Sequence, residues 1–343
     1  MTGTSGQLFR QVGKWIPPLL TRPFGGPAAV FFHGVEQAIA DAHVQNNHHG
    51  LETFRAIAKS LKRNFDVLPL SALDEVLRNP RRYRRALFVM SDDGYANVLS
   101  VAAPVLAEFR LPWTLFVSTR HIDTGERNPM FLARVFFAFA PAGLYEIPHF
   151  AGPIKLNGRQ ARQAEEAACI ETLKTMEAAA ARQAIAAMGA ALSDARLNHI
   201  VDGFASDRFL SWAQVRELKK RGVEIGAHAH WHWPMNARQS EGTLAEQARL
   251  PKQRIEAEVG PCRFFAYPFG NTADVGRQAW RAVREAGYEA AFTTLSGTLD
   301  ASTDRWLLPR YGIGLNERRV SSLIPMLRAG NARLVRWQKS IAA

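Results

Sequence analysis

The sequence predicts an α/β domain built on a parallel sheet, either open or closed into a barrel, with a helical insertion. Three observations lead there. Short β-rich apolar runs alternate with segments of helical periodicity. The notable polar residues stand at the carboxyl ends of those runs, where parallel α/β folds gather their functional groups. The alternation is broken once, between about residues 121 and 206, by long alanine-rich helical sequence. With 343 residues, 47% of them hydrophobic, the chain is long enough to bury a sizeable core.

In chain order, "AAVFFHG" (Ala28 to Gly34) is β-rich and ends at a turn. "LETFRAIAKSLKRNF" spaces its apolar residues by three and four, which predicts a helix. "DVLPLSALDEVL" predicts a brief strand and then a helix capped by Ser71. "RALFVMSDDG" is a buried strand with acidic charge only at its carboxyl end; a helix follows from about Asn97 to Phe109, and "WTLFVST" is the next strand. Beyond His121, "NPMFLARVFFAFAPAG" predicts an apolar helix and "RQARQAEEAACIETLKTMEAAAARQAIAAMGAAL" further helix. The rhythm resumes near Phe209. "LSWAQVRELKKRG" is a helix with Ser211 as cap and Gly222 as stop, and "VEIGAHAH" is a strand. "EGTLAEQARLPKQRIEAEVG" is helical, though Pro251 should kink or split it. "CRFFAYPFG" and "EAAFTTLSG" are strands around the helix "DVGRQAWRAVREAG", and "WLLPRYGIG" is a last short strand.

Cys169 and Cys262 are the only cysteines, which excludes a disulfide framework and a CxxC metal knuckle. Net charge is +12, concentrated in "RRYRR" (Arg81 to Arg85) and from Arg305 onward. Such patches suit phosphate, but no zinc finger, KH loop or RNP aromatic pattern accompanies them, so no nucleic-acid partner is expected.

"HAHWHWP" (His228 to Pro234) brings three histidines to the end of a strand. Two imidazoles make at most half of a tetrahedral metal site, so further ligands must come from other strand ends. Those ends carry His33, the pair Asp92 and Asp93, "YPFG" (Tyr267 to Gly270) and Arg310. One Asp with two His is a catalytic metal set that leaves positions open for water and substrate, and a second Asp beside it could deprotonate that water. In an extended strand positions 228, 230 and 232 share one face, so His230 stays open as a ligand at this stage.

"MSDDGY", "EIGAHAHWH" and "FFAYPFG" together resemble the three main motifs of the polysaccharide deacetylases, the NodB-homology carbohydrate esterases. "AAFTTLSG" and "LPRYGI" are also similar to that family's carboxyl-terminal part. The resemblance implies a distorted (β/α) barrel of about seven strands. It divides a single catalytic domain, 1–343, into barrel core at about 28–120 and 207–315, a helical insertion at about 121–206, and a basic extension at about 316–343. It implies Asp92 as general base and Asp93, His228 and His232 as ligands of a divalent metal ion, most often zinc. The backbone N–H of Phe269 would help hold the oxyanion. The implied reaction is hydrolysis of an N-acyl group, most often acetyl, on an amino sugar. Alternatives on the same fold are an amidohydrolase of another C–N bond, such as a sugar N-deformylase, or a barrel that only binds glycan.

The sequence departs from the family pattern in places. Ala266 stands where many members have an Arg that orders the catalytic carboxylate, and Trp233 separates His232 from Pro234. The late His that supplies an acid in other members is missing. "VFFHGV" resembles the "YHxV" opening of the circularly permuted, exopolysaccharide-modifying subgroup, which assigns the acid role to His33. Arg310 would then supply the missing cation. His43, His48, His49, His121, His149 and His199 lack such context and read as solvated or structural.

"MTGTSGQLFRQVGKWIPPLL" lacks the uninterrupted apolar core of a secretory signal, and no run of about eighteen apolar residues suggests a transmembrane helix. The expected location is cytoplasmic and the expected substrate an intracellular N-acylated glycan or lipid-linked precursor. Mixed basic and apolar sequence at both ends, "QLFRQVGKWIPPLL" and "SSLIPMLRAGNARLVRWQKSIAA", suggests peripheral contact with the inner face of an anionic membrane.

Overall fold

The computed structural model describes residues 26–315 and 337–341. The terminal segments expected to touch a membrane therefore lie, apart from 337–341, outside the described residues. Among the described residues no helix is long and apolar enough to cross a membrane.

The described residues open with β1 (Ala28–Phe32), β2 (Gly34–Glu36) and β3 (His48–Gly50), then α1 (Leu51–Asn64). Strand β4 (Asp66–Val67), helix α2 (Leu73–Arg78) and strand β5 (Ala86–Ser91) follow. A wide turn over Val98–Ala102 leads into α3 (Ala103–Glu108), and β6 (Thr114–Val117) completes the first half. After the insertion come α9 (Trp212–Lys220), β9 (Glu224–Ala227), α10 (Glu241–Val259), β10 (Phe264–Ala266), α11 (Arg277–Glu285), β11 (Ala290–Phe292) and β12 (Tyr311–Gly312).

One parallel sheet runs β11-β10-β9-β6-β5-β1-β12, with the two-residue β4 paired to the start of β5. An isolated parallel bridge between Phe292 and Leu308 ties β11 to the segment that enters β12, so the sheet curls back towards its first edge. This is the (β/α) barrel expected from the sequence. The strands β1 and β5 are buried at every position, as strands covered on both faces must be. Their helices pack by apolar faces at three-and-four spacing: Phe54, Ile57, Ala58 and Leu61 on α1, for example.

Ser71 does not cap α2: it lies inside a tight turn, Leu70–Ala72, that leads into the helix. The ends of α9 fall where predicted. Ser211 caps α9 in a capping box with Gln214, and Gly222 follows at φ 87°. Pro251, however, does not split its helix. Leu244, Gln247, Ala248, Pro251 and Ile255 lie buried on α10, and this continuous packing outweighs the one hydrogen bond that proline removes.

Between β6 and α9 the chain forms α4 (Thr119–Thr124), α5 (Pro129–Phe139), α6 (Arg159–Thr175), α7 (Ala178–Ala190) and α8 (Asp194–Asp202). It also contains an antiparallel pair, β7 (Gly143–Tyr145) and β8 (Ile154–Leu156), where only helix was expected. Three residues per strand give too little alternation to reveal the pair in sequence. The helices build a second apolar cluster around Phe131, Phe136, Leu173 and Ile185. Trp233, the residue inserted after His232, is buried in that cluster and gives its indole N–H to Met176 O at 3.2 Å.

Candidate active site

Register brings the site together. Phe32 pairs with Ser91, and Asp92 N donates to Phe32 O at 2.9 Å, so His33 and Asp92 leave adjacent strands at one level. Val117 pairs with Ala227, and His228 N donates to Val117 O at 2.9 Å. Beyond the strand ends the backbone turns sharply. Asp93, Ala229, His232 and Phe269 hold φ of 74°, 58°, 50° and 59°. Left-handed conformations at non-glycine residues are costly, and they aim the side chains inward rather than along the strands. Gly94, at φ 92°, completes the turn after the two aspartates.

Asp93, His228 and His232 converge. His228 Nε2 lies 3.3 Å and His232 Nε2 2.9 Å from Asp93 Oδ1. All three are buried, and Asp93 Oδ1 takes no hydrogen bond among the described residues. His228 Nδ1 sits 2.8 Å from Ala266 O, and a carbonyl only accepts, so the ring proton is on Nδ1 and Nε2 offers a lone pair. Ligand atoms about 3.3 Å apart are what metal bonds of roughly 2.0–2.1 Å in a tetrahedron require. These residues fit a divalent metal ion, and the backbone carbonyl behind His228 is the support such ligands usually have.

His230 is not part of this cluster. The extended strand stops at Ala227, and the left-handed Ala229 turns His230 away, so the shared face of an extended 228–232 does not exist. Its Nδ1 meets Thr119 Oγ1 at 2.8 Å, and its backbone N–H donates to Gln247 Oε1 at 3.0 Å.

Arg310 reaches Asp92 with both terminal nitrogens, Nη1 to Oδ1 at 2.7 Å and Nη2 to Oδ2 at 2.8 Å, while Nε donates to Thr293 O at 3.1 Å. Burial alone would raise the Asp92 carboxyl. The Arg310 charge, the adjacent His228 and the Arg310 hydrogen bonds outweigh it and hold the group below the usual carboxylate range. Asp93 is likewise driven well down, against the effect of burial, by the close imidazoles of His232 and His228. Burial pushes His33 below its ordinary value despite the neighbouring aspartates.

His33, Asp92, Asp93, His228, His232 and Phe269 all face one cavity of about 370 Å³. The sequence did not point to its other walls. Arg134 and Met130 come from the insertion, Asn47 from the loop before β3, and Thr294 from the end of β11. Arg134 stood inside a run read only as an apolar helix. Of the histidines read as solvated or structural, His48, His49 and His121 are buried, while His43 pairs with Glu166 at 2.7 Å.

A parallel barrel that ends in two aspartates, two histidines and a buried arginine defines a hydrolase centre. The family model of the polysaccharide deacetylases matches residues 80–291, more than half of the chain, and the chain belongs to that family. The match includes Asp92, Asp93, His228, His232 and Phe269; His33, just after β1, and Arg310, just before β12, lie outside it. Several solved structures share the fold at low identity. The Streptococcus pyogenes deacetylase PplD in complex with acetate is 13% identical, with 89% of this chain and 99% of that one covered at a TM-score of 0.57. IcaB from Ammonifex degensii is 15% identical, covering 89% and 97% at 0.54. A de-N-acetylase from Aggregatibacter actinomycetemcomitans is 15% identical, covering 85% and 96% at 0.52. No curated protein matches the chain.

Proposed function

We propose that the protein is a metal-dependent deacetylase that hydrolyses an N-acyl group, acetyl by preference, on an amino sugar of a polysaccharide or its precursor. The observation that carries this reading is the pairing of two differently held carboxylates. Asp93 faces the Nε2 atoms of two imidazoles, and Asp92 is gripped by Arg310. The names of the fold relatives, deacetylase and de-N-acetylase, agree with it.

In this reading Asp93, His228 and His232 hold a divalent ion, zinc by its preference for such a donor set. When bound, the ion supplies Lewis-acid polarisation of the acyl carbonyl and a water of lowered pKa. Asp92 takes the proton of the attacking water on a carboxylate oxygen, each of which keeps a lone pair beyond its bond to Arg310. Arg310 keeps that carboxylate ionised and fixes its plane. The Phe269 backbone N–H faces the developing oxyanion. His33, on the neighbouring strand end, acts in its imidazolium form, which gives one proton to the departing amine and returns to the neutral ring.

The test is release of free amine from a panel of N-acetyl, N-formyl and longer N-acyl amino sugars and oligosaccharides, by the metal-loaded and the chelator-treated protein. Metal-dependent hydrolysis of the N-acetyl members supports the reading. Preference for the N-formyl members makes it a deformylase, and no hydrolysis of any member overturns it.

A further inference from the structure

A second group of metal-type ligands lies behind the cavity, on residues to which the reaction assigns no role. Glu36 ends β2, His48 begins β3, and Asp207 closes the short turn Ala205–Asp207, where the insertion returns to the barrel. They are 7%, 2% and 1% exposed, and one ligand atom from each falls within 4.8 Å of the others. Two buried carboxylates so close together are costly unless a cation joins them. Arg134 is nearby, but its Nε donates to Val44 O at 2.8 Å, and no ion pair joins it to either carboxylate among the described residues.

The protons of this group can be located. Asn47 gives its amide N–H to the Tyr95 hydroxyl at 3.3 Å and turns Oδ1 to His48 Nδ1 at 2.8 Å. An amide oxygen only accepts, so Nδ1 carries the ring proton and Nε2 presents a lone pair. That lone pair faces Asp207 Oδ1 at 3.4 Å, and neither atom has a hydrogen-bond partner among the described residues. The separation exceeds the roughly 2.7–3.2 Å of an N–H···O bond and matches the tetrahedral edge of about 3.3 Å between metal ligands. It also repeats the 3.3 Å between His228 and Asp93 in the first site.

The surroundings hold the ligands as metal ligands are usually held. Gln45 Nε2 donates to Asp207 Oδ2 at 2.8 Å and lies 3.4 Å from Glu36 Oε1, which also accepts from Asn97 Nδ2 at 2.8 Å. Each carboxylate is thus anchored by one oxygen. The imidazole lies over Gly34, its pairing partner in β2, and any Cβ there would run into the ring.

We propose that Glu36, His48 and Asp207 form a second, structural site for a divalent transition-metal ion, zinc or manganese in class. The ion would clamp the strand that follows His33 to the point where the insertion rejoins the barrel.

The test is metal content per folded chain after chelator stripping and re-equilibration with zinc or manganese, using full-length protein. The wild type should hold about two equivalents, and Asp93→Asn and Asp207→Asn about one each. The double variant should hold none, and zinc should raise the melting temperature of Asp93→Asn. A wild type that holds one equivalent, unchanged in Asp207→Asn, would overturn the proposal and leave a proton between His48 and Asp207. If Asp207→Asn does not fold, Asp93→Asn decides, because its second cluster is whole: one equivalent supports the site and none removes it.

Discussion

Arg310 closes on both oxygens of Asp92, at 2.7 and 2.8 Å, across 218 positions of sequence. The guanidinium is fully buried, and its carbon stands 4.4 Å from the centre of the Phe31 ring. The cation that the family resemblance would seek at position 266 is absent there. Ala266 instead offers its carbonyl to His228, while the positive charge arrives from the entry to β12. β1 pairs with both β12 and β5, and this places Arg310, at the entry to β12, within reach of Asp92 at the end of β5.

Removing Arg310 should cost stability as well as rate. Arg310→Ala leaves a buried carboxylate without its partner, a loss of about 3–5 kcal/mol. Arg310→Lys restores charge but not the two parallel hydrogen bonds, and should fall between. Urea unfolding midpoints check the order wild type, lysine, alanine. Equal midpoints for all three would show that the pair carries no net stability.

The two aspartates should separate by assay. Asp92→Asn should keep the metal of the first site and lose roughly 10²–10⁴-fold in turnover, the usual worth of a general base. Asp93→Asn should lose that metal. Because Asp92→Asn also leaves Arg310 without a counter-charge, circular dichroism must accompany the rate. Metal content per chain, measured on both, decides; equal loss in the two variants rejects the division of roles.

His33→Ala should slow turnover without releasing metal, since the ring lines the cavity but is not among the three converging ligands. The loss should be larger for an amide substrate than for one with a good leaving group, which needs no acid. A loss of the same size for both would remove the acid role, and unchanged turnover would remove His33 from the site.

Both cysteines should be silent to alkylation in the native protein. Burial, with the charges of Glu165 and Glu166 behind it, pushes the Cys169 thiol up to about 12. Burial, aided by Glu256, does the same for Cys262. At pH 8 the thiolate fraction is then about 10⁻⁴, and reactivity follows the thiolate. Thiol titration should count none before denaturation and both after it. Rapid labelling of the folded protein would contradict this.

The sequence disclosed the barrel because fully buried parallel strands read as unbroken apolar runs, as "ALFVMS" does. The family resemblance marked Asp93, His228 and His232 as candidate ligands at two strand ends, while the residues alone left His230 open. The sequence could not disclose Arg134, Asn47 or Thr294, which meet the cavity only through packing of the insertion and loops. Nor could it disclose Glu36, His48 and Asp207, for Asp207 lies 159 positions beyond His48 and nothing local marks the pair. That α10 is not split escapes the sequence for a related reason: the cost of Pro251 is local, while the packing that overrides it is tertiary.

The histidine segment supplies the sharpest check on register. Left-handed backbone at Ala229 and His232 lets His228 and His232 meet Asp93 while His230 turns to Thr119. Burial then pushes His230 down to about 4, so near neutral pH it is a neutral ring with one hydrogen bond. His230→Ala should therefore keep the first-site metal and cost only about 1 kcal/mol, the worth of that bond. His232→Ala should lose the metal, because Asp93 and His228 alone leave a two-ligand site. Substituting alanine for Ala229 is no change, but Ala229→Val should strain a φ of 58° that β-branched residues avoid, and so weaken metal retention without touching a ligand. Metal content in the three variants reads the outcome. Metal lost from His230→Ala and kept in His232→Ala would mean that the ligands are His228 and His230, with the turn at Ala229 absent in solution.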